Sequence, residues 1–220
     1  MAEPPARSAR GWPPPRLVEL DDAEFHRRYG PGEPLLPSGV ARLFAGAPFP
    51  WWVVGGWSLD DEGSPRRPHE DIEVSVLRRD FAATVAWLAD WHVWDVHGGI
   101  LRLLAGEWDM PEDHEQAWVR RDAYSPWVMD LLLTPSDGED WLFKKDHRVR
   151  RPLAEVLRTG ADSVPRQSPE IALLYKAWHL RDKDRADFEA VLPGLAEDSR
   201  RWLQGALLLA MPGHPWIGRL

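Results

Sequence analysis

The chain has 220 residues, 44% hydrophobic and 28% charged, with 35 Asp and Glu against 27 Lys and Arg for a net charge of −8. At about 150 residues per domain this is one domain, or one and a small appendage, with enough chain to bury a sizeable core. The absence of Cys excludes a disulfide framework, a thiolate metal site and a cysteine nucleophile, and the acidic balance argues against a general nucleic-acid binder, whose phosphate contacts need a basic excess.

Residues 1–16 hold Pro4, Pro5, Pro13, Pro14 and Pro15 with Arg7 and Arg10, a composition too poor in apolar surface to order itself, and are expected to be a mobile arm. Asp21 or Asp22 can cap a short helix through Tyr29, ended by Gly30 and Pro31, and Ser38 can cap another from Gly39 to Phe44. Trp51 to Val54 is a short apolar, β-favouring run that stops at Gly55-Gly56, as a buried strand does before a tight turn. Trp57 to Asp61 has room for about one helical turn before Gly63, Ser64 and Pro65 break it. Ile72 to Val76 then alternates apolar with polar residues, and Asp80 can cap a helix from Phe81 to Trp91.

Val93 to Val96 and Ile100 to Leu104 read as strands joined by the hairpin signal Gly98-Gly99, and Ala117 to Arg120 as another. Trp127 to Leu133 is the strongest apolar run, and Asp137-Gly138 turns the chain into Trp141-Leu142-Phe143. After Pro152 the character is helical: Ser168 can cap and Pro169 suits a first helical position, with further helices from Asp184 to Leu192 and from Asp198 to Ala210. The expected architecture is α+β: a mixed sheet with flanking helices over residues 17–150, then a helical part over 151–220.

No run approaches the roughly 18 consecutive apolar residues of a membrane span, and the N-terminus has no apolar signal core, so a cytoplasmic protein is expected. Fourteen Trp residues, spread from Trp12 to Trp216, read as core and pocket lining rather than a base-stacking platform, which would pair them with basic residues.

The chemistry concentrates between Gly55 and Val74. Asp71 and Glu73 lie two apart on a strand and so share a face, while Ile72 and Val74 point to the core. Two carboxylates that close repel unless neutralised, and Mg²⁺ takes oxygen ligands while keeping positions for water and phosphate. The alternative is a solvated strand face. Asp130 interrupts the most apolar strand, where an uncompensated carboxylate is costly; a shared cation would compensate it, as would exposure of that face to water. Gly55 and Gly56, lacking Cβ atoms, would let backbone N–H groups approach phosphate oxygens, or form an ordinary turn.

Strand, Gly-Gly, acidic strand with Asp71-x-Glu73 and a distant Asp130 resembles the nucleotidyltransferase superfamily that includes DNA polymerase beta. More closely, Gly55 to Asp60, Arg67 to Val74, Pro169 to Lys176, Lys183-Asp184 with Asp187-Phe188, and Pro212 to Trp216 resemble the aminoglycoside and lincosamide nucleotidyltransferases of bacterial resistance. The resemblance covers about residues 50 to 216. It implies transfer of a nucleoside monophosphate, AMP from ATP or another NTP, onto a hydroxyl of a small acceptor, such as an antibiotic of those classes, with release of pyrophosphate.

In that reading Asp71 and Glu73 bind Mg²⁺, and Asp130 is the third ligand or the general base. Gly55 and Gly56 approach phosphate, Lys176 steadies the β- and γ-phosphates, and Arg67 either meets phosphate or pairs with Glu62 or Glu70. Ser58 would offer its hydroxyl to phosphate, yet it is a departure, because in many relatives the serine follows the glycine directly and here Trp57 intervenes; Glu73 is another, standing where drug-modifying relatives often have Asp. The expected partners are the nucleotide and a small hydroxyl-bearing acceptor, with neither nucleic acid nor membrane; the oligomeric state is not specified.

The acidic run Glu107, Asp109, Glu112, Asp113 and Glu115 reads as a solvated loop or as a steering field for an amine. His114-Glu115 lacks the second histidine of a zinc-protease helix, His92, His97 and His147 read as structural, and His69 reads as a turn residue. The alternative to an enzyme is a catalytically silent relative that binds nucleotide or acts as an antitoxin-like regulator.

Overall fold

The computed structural model describes residues 20–60, 67–105, 110–160 and 162–220; the expected arm, residues 1–16, lies outside them, as do Glu62, Arg66, Glu107 and Asp109. Helix α1 (Asp22–Tyr29) starts where Asp21 accepts the backbone N–H of Glu24 at 2.7 Å, satisfying one of the free donors of the first turn. Helix α2 (Pro37–Leu43) begins before the expected Ser38, because Pro37 takes a position whose N–H has no partner to lose.

Strands β1 (Trp51–Val53) and β2 (Glu73–Leu77) follow, and between them Gly55 to Leu59 form turns rather than the expected helical turn. Helix α3 (Phe81–Trp87) stops short of Trp91, and Asp80 sits in a preceding 3₁₀ turn without capping it by a hydrogen bond. Strands β3 (His92–His97) and β4 (Ile100–Leu103) turn through Gly98 and Gly99, whose φ of 58° and 79° are what a two-residue hairpin demands. Strands β5 (Gln116–Arg120) and β6 (Trp127–Thr134) come next; β7 (Ser136–Asp137), β8 (Asp140–Leu142) and β9 (Arg150–Pro152) make a small separate sheet.

The segment after Pro152, expected to be helical, first forms a short helix α4 (Leu153–Val156) and strands β10 (Leu157–Thr159) and β11 (Pro165–Gln167). Only then come α5 (Pro169–His179), α6 (Asp182–Val191) and α7 (Glu197–Ala210). The large sheet has the order β10-β11-β1-β2-β6-β5-β3-β4, with β1 parallel to β11 and β2 parallel to β6. The polar composition of the two late strands hides them: Arg166 is buried with its guanidinium on Asp162, and Gln167 is buried too.

Alternation along the strands sorts the sheet into two faces. One carries Val74, Val76, Ala117, Val119, Leu131 and Leu133 into a core closed by Val40 of α2, Phe44 just past its end and Phe81 of α3. A second core lies in the helical half, where Trp141, Phe143, Ile171, Leu174, Phe188, Leu203 and Trp216 meet. Trp52 and Trp141 are fully buried, and Trp94, Trp118 and Trp127 form a row with Arg120 over two of their rings. Among the described residues no helix is long and apolar enough to cross a membrane.

His214 ties the C-terminal turn to α5. Its Nε2 lies 3.1 Å from the Ala177 carbonyl, while Nδ1 accepts the Trp216 N–H at 3.2 Å, a pairing that only the neutral ring satisfies. Burial therefore pushes the imidazole down to about 4, against the help of the Ala177 carbonyl. Because the folded-state value lies below the unfolded one, its stabilisation is complete above pH 6.5 and is lost as the pH falls towards 4. The expected loss is roughly 3 kcal/mol at full development, at about 1.4 kcal/mol per pH unit. Urea unfolding at pH 7.5 and 4.5 checks this: the wild-type difference should shrink by most of that amount in His214→Gln.

Candidate active site

The second face of the sheet, turned towards α5, is where the chemistry collects. Glu73 stands in register with Asp130 on the adjacent parallel strand, so both carboxylates point to the same side, and Asp71 precedes Glu73 by one pleat. Asp71 is held by its backbone: its carbonyl accepts the Trp57 indole N–H at 3.0 Å. Burial first, and then the charge of Asp71, raises the Glu73 carboxyl above its ordinary value, with Lys144, Lys176 and Arg181 opposing. Burial, then Glu73 and Asp71, pushes Asp130 well above the usual carboxylate range, despite the Gln116 amide that donates to its Oδ2 at 2.8 Å.

Among the described residues no ion pair joins Asp71, Glu73 or Asp130. Their ligand oxygens are also not gathered within 4.8 Å of one another. This all-oxygen donor set, crowded with like charge and without a cation of its own, fits a hard divalent ion such as Mg²⁺. Gathering all three on one ion takes rotation of side chains, Asp130 away from Gln116 above all.

The glycine turn is packed against these acids. A Cβ on Gly55, whose φ is 65°, would stand 2.0 Å from Oε2 of Glu73, and one on Gly56 would stand 2.5 Å from the His69 ring and 2.8 Å from the Arg67 guanidinium. A side chain at Gly55 would be strained by the positive φ and would push the Glu73 carboxylate aside, and one at Gly56 would displace the His69 ring and the Arg67 guanidinium. Ser58 is placed elsewhere: fully buried, it donates from Oγ to the Gly55 carbonyl at 2.8 Å and so shapes the turn from beneath. Trp57, the residue that breaks the family pattern, lies against the His69 ring at 4.4 Å, and His69 Nε2 is 2.5 Å from Asp60 Oδ2. Arg158 of β10 completes the brace by donating to the Ser58 carbonyl at 2.7 Å.

Opposite the acids is a basic wall from the helical half. Lys176 on α5 is buried, with Nζ 2.6 Å from Asp187 and 3.5 Å from Asp184. Arg67 reaches the same Asp187 carboxylate with two nitrogens at 3.3 Å, rather than Glu70; the alternative partner Glu62 lies outside the described residues. Burial alone would raise Asp187, but Arg67 and Lys176 outweigh it and hold the carboxyl below its ordinary value. Arg181 grips Asp184, which is fully buried. A cleft of about 240 Å³ lies between the two walls, lined by Gly55, Gly56, Asp71, Glu73, Lys144, Lys176 and Arg181 among others.

The structure thus brings Gly55, Gly56, Arg67, Asp71, Glu73 and Lys176 to one cleft, with Asp130 beside it, and leaves Ser58 below the turn. Lys144, Arg181 and Gln116 are unforeseen members. Lys144 and Arg181 sit in loops without periodicity, and nothing but the register of β5 with β6 places Gln116 next to Asp130. Of the acidic run read as a solvated loop or a steering field, Glu115 faces Lys144 at 3.6 Å, and Glu112 and Asp113 are exposed.

No family profile matches the chain, and no curated protein does. Solved structures do. A solution structure of the antibiotic-resistance factor ANT(2'')-Ia is 13% identical, over 76% of this chain and 86% of that one, with a TM-score of 0.50. A crystal structure of ANT(2'')-Ia in complex with adenylyl-2''-tobramycin is 14% identical, over 77% of this chain and 95% of that one, with a TM-score of 0.49. The chain therefore has the nucleotidyltransferase type of fold that the motifs led us to expect: a mixed sheet with flanking helices.

The conflict among the carboxylates gives a test. Because Asp130 is raised, its contribution to stability is present while it is protonated and is lost as the pH rises through its shifted value. In metal-free buffer Asp130→Asn should be more stable than wild type at pH 7.5, by on the order of 1 to 2 kcal/mol, with the gap closing in acid. Denaturant midpoints at pH 7.5 and pH 4, with and without Mg²⁺, measure it; Mg²⁺ should narrow the gap.

Proposed function

We propose that the chain is a Mg²⁺-dependent nucleotidyltransferase that moves a nucleoside monophosphate, AMP from ATP, onto a hydroxyl of a small acceptor and releases pyrophosphate. The observation that carries this reading is the division of one cleft into an acidic wall, Asp71 and Glu73 with Asp130 beside them, and a basic wall of Lys176, Arg181 and Lys144, joined at a turn with no room for a Cβ. A triphosphate needs both walls: oxygen ligands that share a cation with it, and ammonium or guanidinium groups for its remaining charge.

Asp71 and Glu73 would hold the ion, with Asp130 as third ligand or general base. Mg²⁺ when bound supplies Lewis-acid neutralisation of the phosphates and a lowered pKa for a nearby hydroxyl. The chain's own residues do the rest. Gly55 and Gly56 let phosphate oxygens reach the backbone. Lys176 is pointed by Asp187 and Asp184, and Arg67 is anchored on the same side. Asp130 keeps Oδ1 clear of Gln116, and its raised pKa brings it nearer the working pH of a base.

The acceptor has a place next to Asp130. Trp118 stands in register with Asp130 on β5 and forms a ring cluster with Phe25 and Tyr29, at centroid distances of 5.3 to 5.5 Å. These rings line a hollow of about 340 Å³ together with Glu70, Arg181 and Lys183. Aromatic faces suit the C–H surface of a sugar or cyclitol ring. A hydroxyl-rich antibiotic of aminoglycoside or lincosamide type, modified in the cytoplasm, is the acceptor class this reading favours.

Pyrophosphate release from ATP, measured with Mg²⁺ across a panel of aminoglycosides, lincosamides and simple polyols, tests the assignment. Release is expected with one acceptor class, to fall by about a hundredfold or more in Asp71→Asn, and to show a raised KM for the acceptor with a smaller change in kcat in Trp118→Ala. ATP binding without pyrophosphate release for any acceptor would remove the transferase reading and leave the silent, nucleotide-binding relative.

A further inference from the structure

On the reverse side of the sheet lies a cluster that the transfer chemistry does not use. Trp94, Trp118 and Asp130 are in register across β3, β5 and β6 and share the cleft face, so Asp95 and His97, one and three residues past Trp94, point to the opposite face. There Asp95, 2% exposed, has its Oδ2 2.7 Å from Nδ1 of His114, while its Oδ1 has no hydrogen-bond partner among the described residues. The His97 and His114 rings are parallel within 8° at 3.9 Å, and Asp113 Oδ1 is 4.0 Å from His114 Nε2. One ligand atom from each of His97, Asp113 and His114 lies within 4.8 Å of the other two.

The geometry points to a transition-metal site, for Zn²⁺ or an ion of similar character, formed by His97, Asp113 and His114 with Asp95 as the orienting carboxylate. A carboxylate bonded to one imidazole nitrogen fixes the tautomer and leaves the other nitrogen, here Nε2, free to ligate; this is the usual arrangement behind a metal-bound histidine. It also accounts for Asp95: a buried carboxylate with a partner on one oxygen alone is poorly compensated, and a cation acting through His114 would compensate it.

Two nitrogens and one oxygen suit borderline ions in a four-coordinate site completed by water, whereas Mg²⁺ prefers oxygen alone. Tetrahedral ligands at about 2.1 Å stand roughly 3.4 Å apart, closer than the 4.0 Å between Asp113 Oδ1 and His114 Nε2. His97 and Asp113 are exposed and free to turn inward, while His114 is held in place by Asp95 and by the Arg78 guanidinium, which donates to the His114 and Pro111 carbonyls. Bound metal would clamp the β3–β4 hairpin to the segment leading into β5, and so to Gln116 and Trp118.

The test is titration of untagged, chelator-treated full-length protein with Zn²⁺ against a chromophoric indicator, and with Co²⁺ read by its visible absorption. One equivalent is expected with a low-micromolar or tighter Kd. It should be weakened at least tenfold in His97→Ala and Asp113→Asn, weakened about 10- to 100-fold in Asp95→Asn, and kept in the double variant Asp71→Asn, Glu73→Gln. Because His97 and Asp113 are exposed, their variants keep the fold even where His114→Ala, which strands Asp95, does not. Absence of binding at 100 µM Zn²⁺, or an equivalent lost with Asp71 and Glu73 but indifferent to His97 and Asp113, would overturn the site.

Discussion

Like charge held together on two neighbouring parallel strands is the constraint from which the rest of this molecule follows. Glu73 and Asp130 are opposite each other because Val74 and Leu131, one residue further on, are opposite each other in the core. A slip of one residue in either strand would drive a carboxylate into that core and bring a valine or leucine out of it. The register is thus enforced by apolar burial, and the mutual repulsion of the acids is a tension the core is able to sustain. Stability is spent here on a local arrangement that the fold alone would not choose.

The facing wall solves the inverse problem. Lys176 and Arg67 are brought together from α5 and from the segment before β2, and two cations so placed would repel one another without Asp187 between them. Asp184 does the same for Lys176 and Arg181. Each half of the cleft therefore carries its own counter-charge on the basic side and lacks it on the acidic side. Under the proposed function, an incoming polyphosphate with a divalent ion would complete the second and compete with the carboxylates of the first, so its affinity would be set by a difference rather than by a sum.

Much of this was legible in the residues. The alternation around Glu73, the lone acid in the run from Trp127 to Leu133 and the paired glycines each break a local rule in a way that needs a reason, and the first and last line one cleft with Asp130 beside it. Ser58 was misplaced by a reading of chemistry from type and spacing, since a hydroxyl near a turn serves the backbone as readily as a ligand. Strands β10 and β11 were invisible because pairing, not pattern, makes them: three residues each, rich in Arg and Gln, they are strands because β1 offers an edge. His97 and His114 are 17 positions apart and join only through the hairpin and the register of β3 with β5. No periodicity in one dimension contains that information.

The late return of the chain to the sheet has a further consequence. Strand β11 ends at Gln167, and after Ser168 alone the chain enters α5, which bears Lys176, so the sheet and the helical half are joined without a spacer at the point where the cleft closes. The two halves are not separable modules. A protein cut after residue 150 would keep Asp71, Glu73 and Asp130 and yet leave the whole outer edge of β1 unpaired, a flat row of backbone donors and acceptors beside two tryptophans, which is the kind of surface that recruits other chains. Covering that edge from the C-terminal side makes the last third of the sequence a guard against aggregation as well as one wall of the cleft.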